Sequence, residues 1–520
     1  MGKYKQSFIQ GAMILLAAGI INRLLGFLPR ITLPRVIGAE GVGLYQMGWP
    51  FLSVVLTITT GGIPLAIAKL VAEAESQGNE RRARQVLHLS LAVIISLSLL
   101  FTLLIVISSR WITTHLFTDS RVYYTFLCMS PIIPIVGISS VYRGYFQGRQ
   151  NMIPTAVSQT FETLVRIVTM LLCSYVMLPY GIEFAAAGAM FGVLIGEISG
   201  LAILLYQYSV TRKKYNVYQS AKIGSGNGGR LDTLKKIFHI SVPVTGSRLV
   251  GSSSYFLESI LIIQSLAVAG VATAVATSQY GALQGMILPI LMLPSALTYS
   301  LSVSLIPSLS EAAARKDMRT IHKRLHQSLR LALVSGAPFA VIMYVLADPI
   351  TYYLYNQSDI GVMLKMLAPV ALIMYLKGPL EATLQALNRP GIALRNTLVG
   401  AIIKLFLIYW LASKPNFGIL GAIMAINIHT IVVAWLNWSS VSRMLKFSMN
   451  AADFFKVVVA MGITGLGSYA VMNSNWIQQP FPRFIYACLL GFTIYLVCIT
   501  ILKIVDRNDL RRVPWIGKKL

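Results

Sequence analysis

Charged residues are scarce in this chain. They make up 12% of its 520 residues, and only 18 of them are Asp or Glu. A soluble domain carries about 25% charged residues, so this composition excludes an ordinary soluble domain. Hydrophobic residues make up 56% instead, and the mean hydropathy is +0.68. We therefore predict a protein that lies in a membrane.

Cysteines and enzyme motifs are scarce as well. The four cysteines fall in predicted helices without Cys-x-x-Cys spacing, which excludes a zinc site of that type and favours buried structural thiols. The sequence contains no zinc-protease motif, P-loop or nucleophile elbow. We expect no enzymatic activity, metal or cofactor. His88 and His326, at the starts of two corresponding helices, are interpreted as packing residues rather than as a proton relay.

Apolar stretches long enough to cross a bilayer recur along the whole chain. Most are about 20 residues long, which is the length that a hydrocarbon core of roughly 30 Å requires. The predicted fold class is an all-α polytopic membrane protein with about 14 transmembrane helices. The predicted spans are 8–28, 43–68, 86–108, 123–142, 155–178, 184–208, 237–264, 278–306, 327–347, 360–380, 392–412, 418–440, 454–473 and 484–502.

Basic residues are distributed unevenly along the chain. The formal net charge is +26, and most of the 44 Lys and Arg residues, Arg143 included, fall in segments predicted to be cytoplasmic. This positive-inside pattern places both termini in the cytoplasm. It also excludes nucleic acid as the partner and favours anionic membrane lipids. The bases predicted on the outer side are Arg30, Arg35, Arg110, Arg121, Lys414 and Arg483.

The chain contains an internal repeat. Residues Gly43 to Arg166 align without a gap with Gly281 to Lys404, at a constant offset of 238. Corresponding helices are six apart, an even number, so both copies have the same orientation in the membrane. A pseudo-two-fold axis along the membrane normal is expected, as in transporters with parallel repeats.

The repeat divides the chain into a six-helix lobe at 1–208 and another at 237–440. Between them, 209–236 is predicted to be a flexible cytoplasmic linker, because it combines basic residues with glycine and serine. Helices 13 and 14 and a basic cytoplasmic tail occupy 441–520, outside the duplication.

The sixth predicted helix has a glycine at every fourth position along one face. Such a ridge lets a neighbouring backbone approach closely, so we interpret it as a packing surface. The glycines are Gly188, Gly192, Gly196 and Gly200.

Four bases lie deep inside predicted spans. A base at the bilayer centre costs about 2.5–3.5 kcal/mol on translocon scales, so it should face a watery cavity or a partner. The four are Arg23, Arg166, Arg248 and Lys404. Arg23 and Arg248 occupy similar places in the two lobes, and Arg166 aligns with Lys404 in the repeat.

Acidic residues inside the spans are fewer: Glu162, Glu197 and Glu258. Glu162 and Arg166 stand at i and i+4, so an ion pair is the structural alternative to a substrate contact for Arg166. The three glutamates are also candidates for carrying a coupling ion. The excess of bases predicts an anionic substrate, and phosphate fits because guanidinium binds it with two parallel hydrogen bonds.

Several motifs resemble a known family. The stretch 22–27 (Asn-Arg-Leu-Leu-Gly-Phe), Arg30, Arg35 and the stretch 37–46 (Ile-Gly-Ala-Glu-Gly-Val-Gly-Leu-Tyr-Gln) resemble the opening of polysaccharide transporters. These belong to the multidrug/oligosaccharidyl-lipid/polysaccharide (MOP) flippase superfamily. The resemblance covers the whole chain and implies two MATE-like six-helix lobes plus two C-terminal helices that form a groove for a lipid tail.

The resemblance implies a flippase that moves a polyprenyl-pyrophosphate-linked saccharide by alternating access, with lipid II for spore-cortex peptidoglycan as the expected cargo. It implies a multi-pass protein of the bacterial cell membrane, with the outer forespore membrane as a candidate location and peptidoglycan synthases as candidate partners. Relatives use cavity arginines that match Arg23 and Arg30. Their further arginine in the eighth helix has no counterpart at 280–285, and Arg248 is the candidate for that role.

Three other functions remain open. A cation-coupled drug or oligosaccharide exporter of the same superfamily would favour a more acidic or aromatic cavity. A membrane enzyme would need paired carboxylates or a histidine at an outer opening, where the predicted loops are short. A scaffold that only recruits cell-wall enzymes would tolerate charge reversal at Arg23 and Arg248, whereas a flippase would not.

Overall fold

The chain is helical nearly throughout. The structure, a computed structural model, describes residues 8–218, 229–449, 451–474 and 477–502, and it contains no strand within them. The predicted all-α fold is confirmed. The helices are α1 (Phe8–Leu25), α2 (Leu28–Thr59), α3 (Ile63–Ser76), α4 (Glu80–His115), α5 (Tyr123–Met129), α6 (Ile132–Gly148), α7 (Ile153–Met177), α8 (Ile182–Tyr218), α9 (Arg230–Val268), α10 (Thr273–Gly281), α11 (Leu288–Met292), α12 (Ser295–Ala314), α13 (Met318–Val345), α14 (Ala347–Tyr355), α15 (Gly361–Ala386), α16 (Pro390–Ala412), α17 (Gly418–Leu445), α18 (Ala451–Met472) and α19 (Pro480–Ile501).

Within these residues, 12 stretches are long and apolar enough to cross a membrane. The sequence predicted about 14, and the difference arises where helices bend. One stretch, Ala17–Ser76, has 60 residues and contains most of the first two predicted spans. At 1.5 Å per residue it would be about 90 Å long, so it crosses more than once. The other difference is the predicted span 278–306, which is divided into shorter pieces.

The first bend corrects the sequence analysis. We predicted an outer segment between the spans 8–28 and 43–68, with Arg30 and Arg35 on it. The structure places both arginines on α2, before a break at Gly38, whose φ of 67° is in the left-handed region. Proline and arginine lower the mean hydropathy of the segment around Arg30 and Arg35, so its composition resembles that of a loop. A proline in the first turn is compatible with a helix, and one glycine makes the turn.

The eighth predicted span is interrupted. After α10 the chain forms a wider π-helical stretch, Ala282–Ile287, followed by the short α11 and then α12. Pro289 lies at the start of α11 and Pro294 immediately before α12. Proline lacks the backbone N–H that would continue the hydrogen-bond ladder, so each piece begins at a proline.

The chain packs as two compact units, Met1–Met286 and Ile287–Leu520. In the first unit, α9 packs against α2 and α3, and α10 packs against α2. The predicted lobes at 1–208 and 237–440 were defined by the sequence repeat and not by packing, so their boundaries stay a prediction.

Parts of the predicted linker and both termini lie outside the described residues. These parts are the glycine–serine run at 224–228, the N-terminal bases Lys3 and Lys5, and the tail 503–520.

Each unit has its own apolar core. In the first unit, α3, α4 and α6 enclose a cluster that includes Ile67, Leu87 and Phe146. In the second, α18 and α19 pack against α13, where the Tyr495 hydroxyl donates a 2.9 Å hydrogen bond to the carbonyl of Val334. The two helices that we predicted outside the repeat are thus attached to the second unit through α13.

Candidate functional site

Helices α7 and α8 of the first unit approach each other along the glycine ridge. A Cβ at Gly188 would lie 2.7 Å from the carbonyl oxygen of Cys173, and one at Gly196 would lie 2.6 Å from Cβ of Arg166. Real Cβ atoms do not approach so closely, so the packing needs glycine. The ridge therefore places the Glu162–Arg166 turn of α7 directly against α8.

Glu162 is the centre of a charged cluster on these helices. It is 7% exposed, and its Oε1 lies 3.3 Å from Nη1 of Arg166, which is the ion pair expected as the alternative role of Arg166. Its Oε2 lies 2.7 Å from Nη2 of Arg143 on α6. The charge of Glu162 also acts on Glu197 of α8. Three helices thus contribute two bases and two acids to one cluster.

Arg143 is a member of this cluster that the sequence analysis did not connect with Glu162. We counted it among the cytoplasmic bases because it stands near the end of a predicted span. In the structure it lies on α6 with its side chain only 19% exposed, bound to Glu162. The two residues are 19 positions apart on different helices, so no periodic pattern in the sequence relates them.

Two of the arginines predicted to bind the substrate lie earlier in the chain than this cluster. Arg23 lies in the last turn of α1 and Arg30 near the start of α2, and both are exposed. The charges of Arg30 and Arg166 both act on the phenol of Tyr45, which is 8% exposed. The structure therefore brings these two guanidinium groups towards one tyrosine from α2 and α7.

Arg248 contacts the bend between α2 and α3. It lies on α9, and its Nη1 donates a 2.9 Å hydrogen bond to the carbonyl of Gly61. The neighbouring N–H of Gly62 donates to the Thr245 hydroxyl at 3.0 Å. Gly61 has a φ of 27°, and a side chain there would overlap Thr245. Arg248 thus has a structural contact whether or not it also meets a substrate.

Glu258 is the third predicted acid. It lies on α9, is 7% exposed, and acts electrostatically on Tyr255, as does Arg30. It therefore belongs to the surroundings of Arg30, whereas Glu162 and Glu197 belong to the α7–α8 cluster.

The second unit has a basic cluster around Lys404. Lys404 is 8% exposed on α16, and its charge acts on His429 of α17, as does that of Lys377 on α15. A Cβ at Gly400 would lie 2.9 Å from Nδ1 of His429, and this nitrogen has no hydrogen-bond partner among the described residues. Lys377 lies 3.6 Å from Glu381. The sequence analysis did not single out His429, because its neighbours come from other helices.

A polar network lies at the end of the first unit that is predicted to face outwards. Arg121 lies 2.7 Å from Glu40 and 2.8 Å from Asp119, and the Thr277 hydroxyl donates a 2.9 Å hydrogen bond to Asp119. Burial alone would raise the pKa of the Asp119 carboxyl. The hydrogen bonds from Arg121 and Thr277 outweigh burial and hold this pKa below its usual range.

Helices α2 and α10 cross in contact beside this network. A side chain at Gly43 would overlap the backbone of Thr277, and one at Gly281 would overlap that of Ala39. The repeat pairs Gly43 with Gly281, and the same offset of 238, extended four residues before the aligned range, pairs Ala39 with Thr277, so each contact is the image of the other. A contact of this reciprocal kind is isologous, as between two subunits related by a two-fold axis.

Comparisons with known sequences point in one direction. The profile of the family described as polysaccharide biosynthesis protein matches residues 8–313, and that of the family described as MatE matches residues 252–410. Stage V sporulation protein B of Bacillus subtilis (strain 168) is 40% identical over 99% of this chain and 99% of its own. Lipid II flippase MurJ of the same organism is 24% identical over 98% of both chains.

Solved structures show the same fold. A lipid II flippase MurJ in an inward closed conformation superposes with a TM-score of 0.67 and 16% identity, covering 94% of this chain and 98% of its own. An inward-facing multidrug resistance MATE family transporter of the MOP superfamily gives 0.64 and 15%, covering 82% and 94%. The predicted polytopic fold and the family resemblance are confirmed.

Proposed function

Since the chain belongs to the polysaccharide biosynthesis protein family of the MOP superfamily, we propose that it is a flippase for a polyprenyl-pyrophosphate-linked saccharide. The observation that carries the proposal is that Arg30 on α2 and Arg166 on α7, in a multi-pass membrane protein, both contribute positive charge at the buried Tyr45. Bases are costly inside a bilayer and are kept where they meet an anion or water. A pyrophosphate offers the oxygens that guanidinium binds best.

The proposed cargo is lipid II for spore-cortex peptidoglycan. A sporulation protein at 40% identity and a lipid II flippase at 24% support this cargo. The protein would then act in the outer forespore membrane with both termini in the cytoplasm. It would supply peptidoglycan synthases on the other side.

In this proposal the basic residues contact the headgroup, and the lobes alternate in exposing it to each side. Helices α1, α2 and α7 contribute Arg23, Arg30 and Arg166, and α9 and α16 contribute Arg248 and Lys404. Glu162, Glu197 and Glu258 are the candidates for coupling to an ion. The cargo crosses chemically unchanged, so the protein acts as a transporter and not as an enzyme.

The test is a translocation assay with purified full-length protein in liposomes that contain fluorescent lipid II. We expect lipid II to reach the opposite leaflet faster than in protein-free liposomes. Arg30→Gln should slow it at least about tenfold, because a hydrogen bond to a charged group contributes about 1.5–3 kcal/mol. Arg315→Gln is the matched control, since Arg315 is 75% exposed and pairs only with its helix neighbour Glu311 among the contacts described.

Equal rates with and without protein would contradict the flippase proposal. Transport of a cationic dye in place of lipid II would favour the drug exporter. If spore-cortex synthesis survived charge reversal at both Arg23 and Arg248, a scaffold would explain the protein better.

A further inference from the structure

Glu162 forms ion pairs with two guanidinium groups at once. One carboxylate oxygen faces Arg143 at 2.7 Å and the other faces Arg166 at 3.3 Å. Two adjacent oxygens that each accept from a separate guanidinium group form the arrangement that an edge of a phosphate group would also provide. An incoming phosphate and Glu162 therefore compete for the same donors.

Glu197 gives Glu162 a second partner on the opposite helix. The charged groups that act on Glu197 are Arg143 of α6 and both Arg166 and Glu162 of α7. Packed against α7 and α8, α2 contributes Tyr45, on which Arg166 also acts. The two arginines therefore act on both acids.

We propose that Glu162 is a built-in counter-ion, which the phosphate of the cargo displaces from Arg143 and Arg166. The proposal rests on the proposed function and adds to it a competing ligand. Because both guanidinium groups already pair with Glu162, an incoming anion gains only the difference between its own interaction with them and that of the carboxylate.

This competition also determines which anions bind. A weakly basic monovalent anion gains little by replacing a carboxylate that is already in place. A pyrophosphate group carries more charge and more oxygens, so it displaces Glu162 where the monovalent anion does not. Glu162 thus acts as a specificity-determining residue.

The experiment measures binding of inorganic pyrophosphate to the full-length protein in detergent by calorimetry at pH 8. Glu162→Gln removes the competing charge, so it should bind about tenfold more tightly than wild type, within the usual range of coupling between sites.

Glu183→Gln, in the first turn of the same helix as Glu197, is the matched control and should behave as wild type. Glu162→Asp serves if Glu162→Gln does not fold: its shorter side chain cannot hold both guanidinium groups as Glu162 does, so this variant should also bind pyrophosphate more tightly than wild type. Equal affinities in all variants would overturn the proposal. If wild type moves lipid II while Glu162→Gln binds pyrophosphate like wild type, only the counter-ion proposal fails. If wild type moves no lipid II, the proposed function fails.

Discussion

The repeat aligns two helices, α7 and α16, that carry their buried base in different ways. On α7, Arg166 lies one turn after a glutamate, and that glutamate also binds Arg143 from α6. On α16, Lys404 lies one turn after Gly400, and the ring of His429 lies against this glycine from α17.

The contrast extends to the neighbouring helix. The counterpart of Arg143 is Glu381, which pairs with Lys377 on its own helix instead of reaching across. One copy thus holds its bases with a shared carboxylate, whereas in the other the charges of Lys404 and Lys377 both act on His429. Duplication preserved the position of the charge and not its partner, so the two copies can hold an anion with different strength.

The largest expected difference between the two copies follows from removing Glu162, the acid at the centre of the α7 cluster. Glu162→Leu leaves two partly buried guanidinium groups without their carboxylate, and the loss of one partner of a buried pair costs 3–5 kcal/mol. We expect about 3 kcal/mol, at the low end of that range, because Arg166 is 28% exposed. Glu381→Leu should cost less than about 1 kcal/mol, because its pair is more exposed. Denaturant unfolding in detergent measures both, and equal losses would show that the two clusters are equivalent.

Glycine substitutions compare the helix contacts themselves. Gly192→Ala would push a Cβ into the backbone of Met170, which cannot move without shifting α7, so we expect a loss of about 2 kcal/mol. Gly400→Ala meets the side chains of Val433 and His429, which can adjust, so about 1 kcal/mol is expected. Thermal unfolding in one detergent ranks the pair, and the reverse order would contradict the backbone argument.

Arg166→Gln and Lys404→Gln compare the aligned bases in function. If both hold the headgroup, each variant should slow lipid II translocation about tenfold, since a charge-assisted hydrogen bond contributes more than 1.4 kcal/mol. Protein level and unfolding midpoint are the controls for folding. A loss confined to Arg166→Gln would mean that the second unit holds its base for structure alone.

The smallest expected effect concerns Thr277, whose counterpart Ala39 has no hydroxyl. Thr277→Val removes one hydrogen bond to Asp119 and should cost about 1 kcal/mol at pH 7. The lowered pKa of Asp119 stabilises the fold above the ordinary carboxyl pKa of about 3.9 and this contribution is lost as the pH falls through the lowered value. The variant should therefore lose less stability than wild type on acidification. Thr277→Ser, which keeps the hydroxyl, should retain the wild-type acid response.

Composition and period predicted the class of fold, because bilayer length and the shortage of charge leave few alternatives. They did not predict where helices bend: glycine and proline mark the break at Gly38 and the interruption at Pro289, but proline also occurs inside unbroken helices, as Pro338 does in α13. The i, i+4 spacing of Glu162 and Arg166 was visible within one helix. Arg143 and His429 were missed because their partners lie on other helices, and a single sequence does not record such pairs.

The reciprocal crossing of α2 and α10 has a consequence for how the two copies diverge. In a symmetric homodimer one substitution changes both sides of such a crossing, so a polar partner arises twice or not at all. In a chain that contains both copies, a substitution changes only one side of the crossing. The overlap of Gly43 with Thr277 and of Gly281 with Ala39 restricts both copies to small residues, while only the Thr277 side has gained a carboxylate partner. The crossing is symmetric in its backbone and asymmetric in its chemistry, so we expect a substitution on one side to differ in effect from its image on the other.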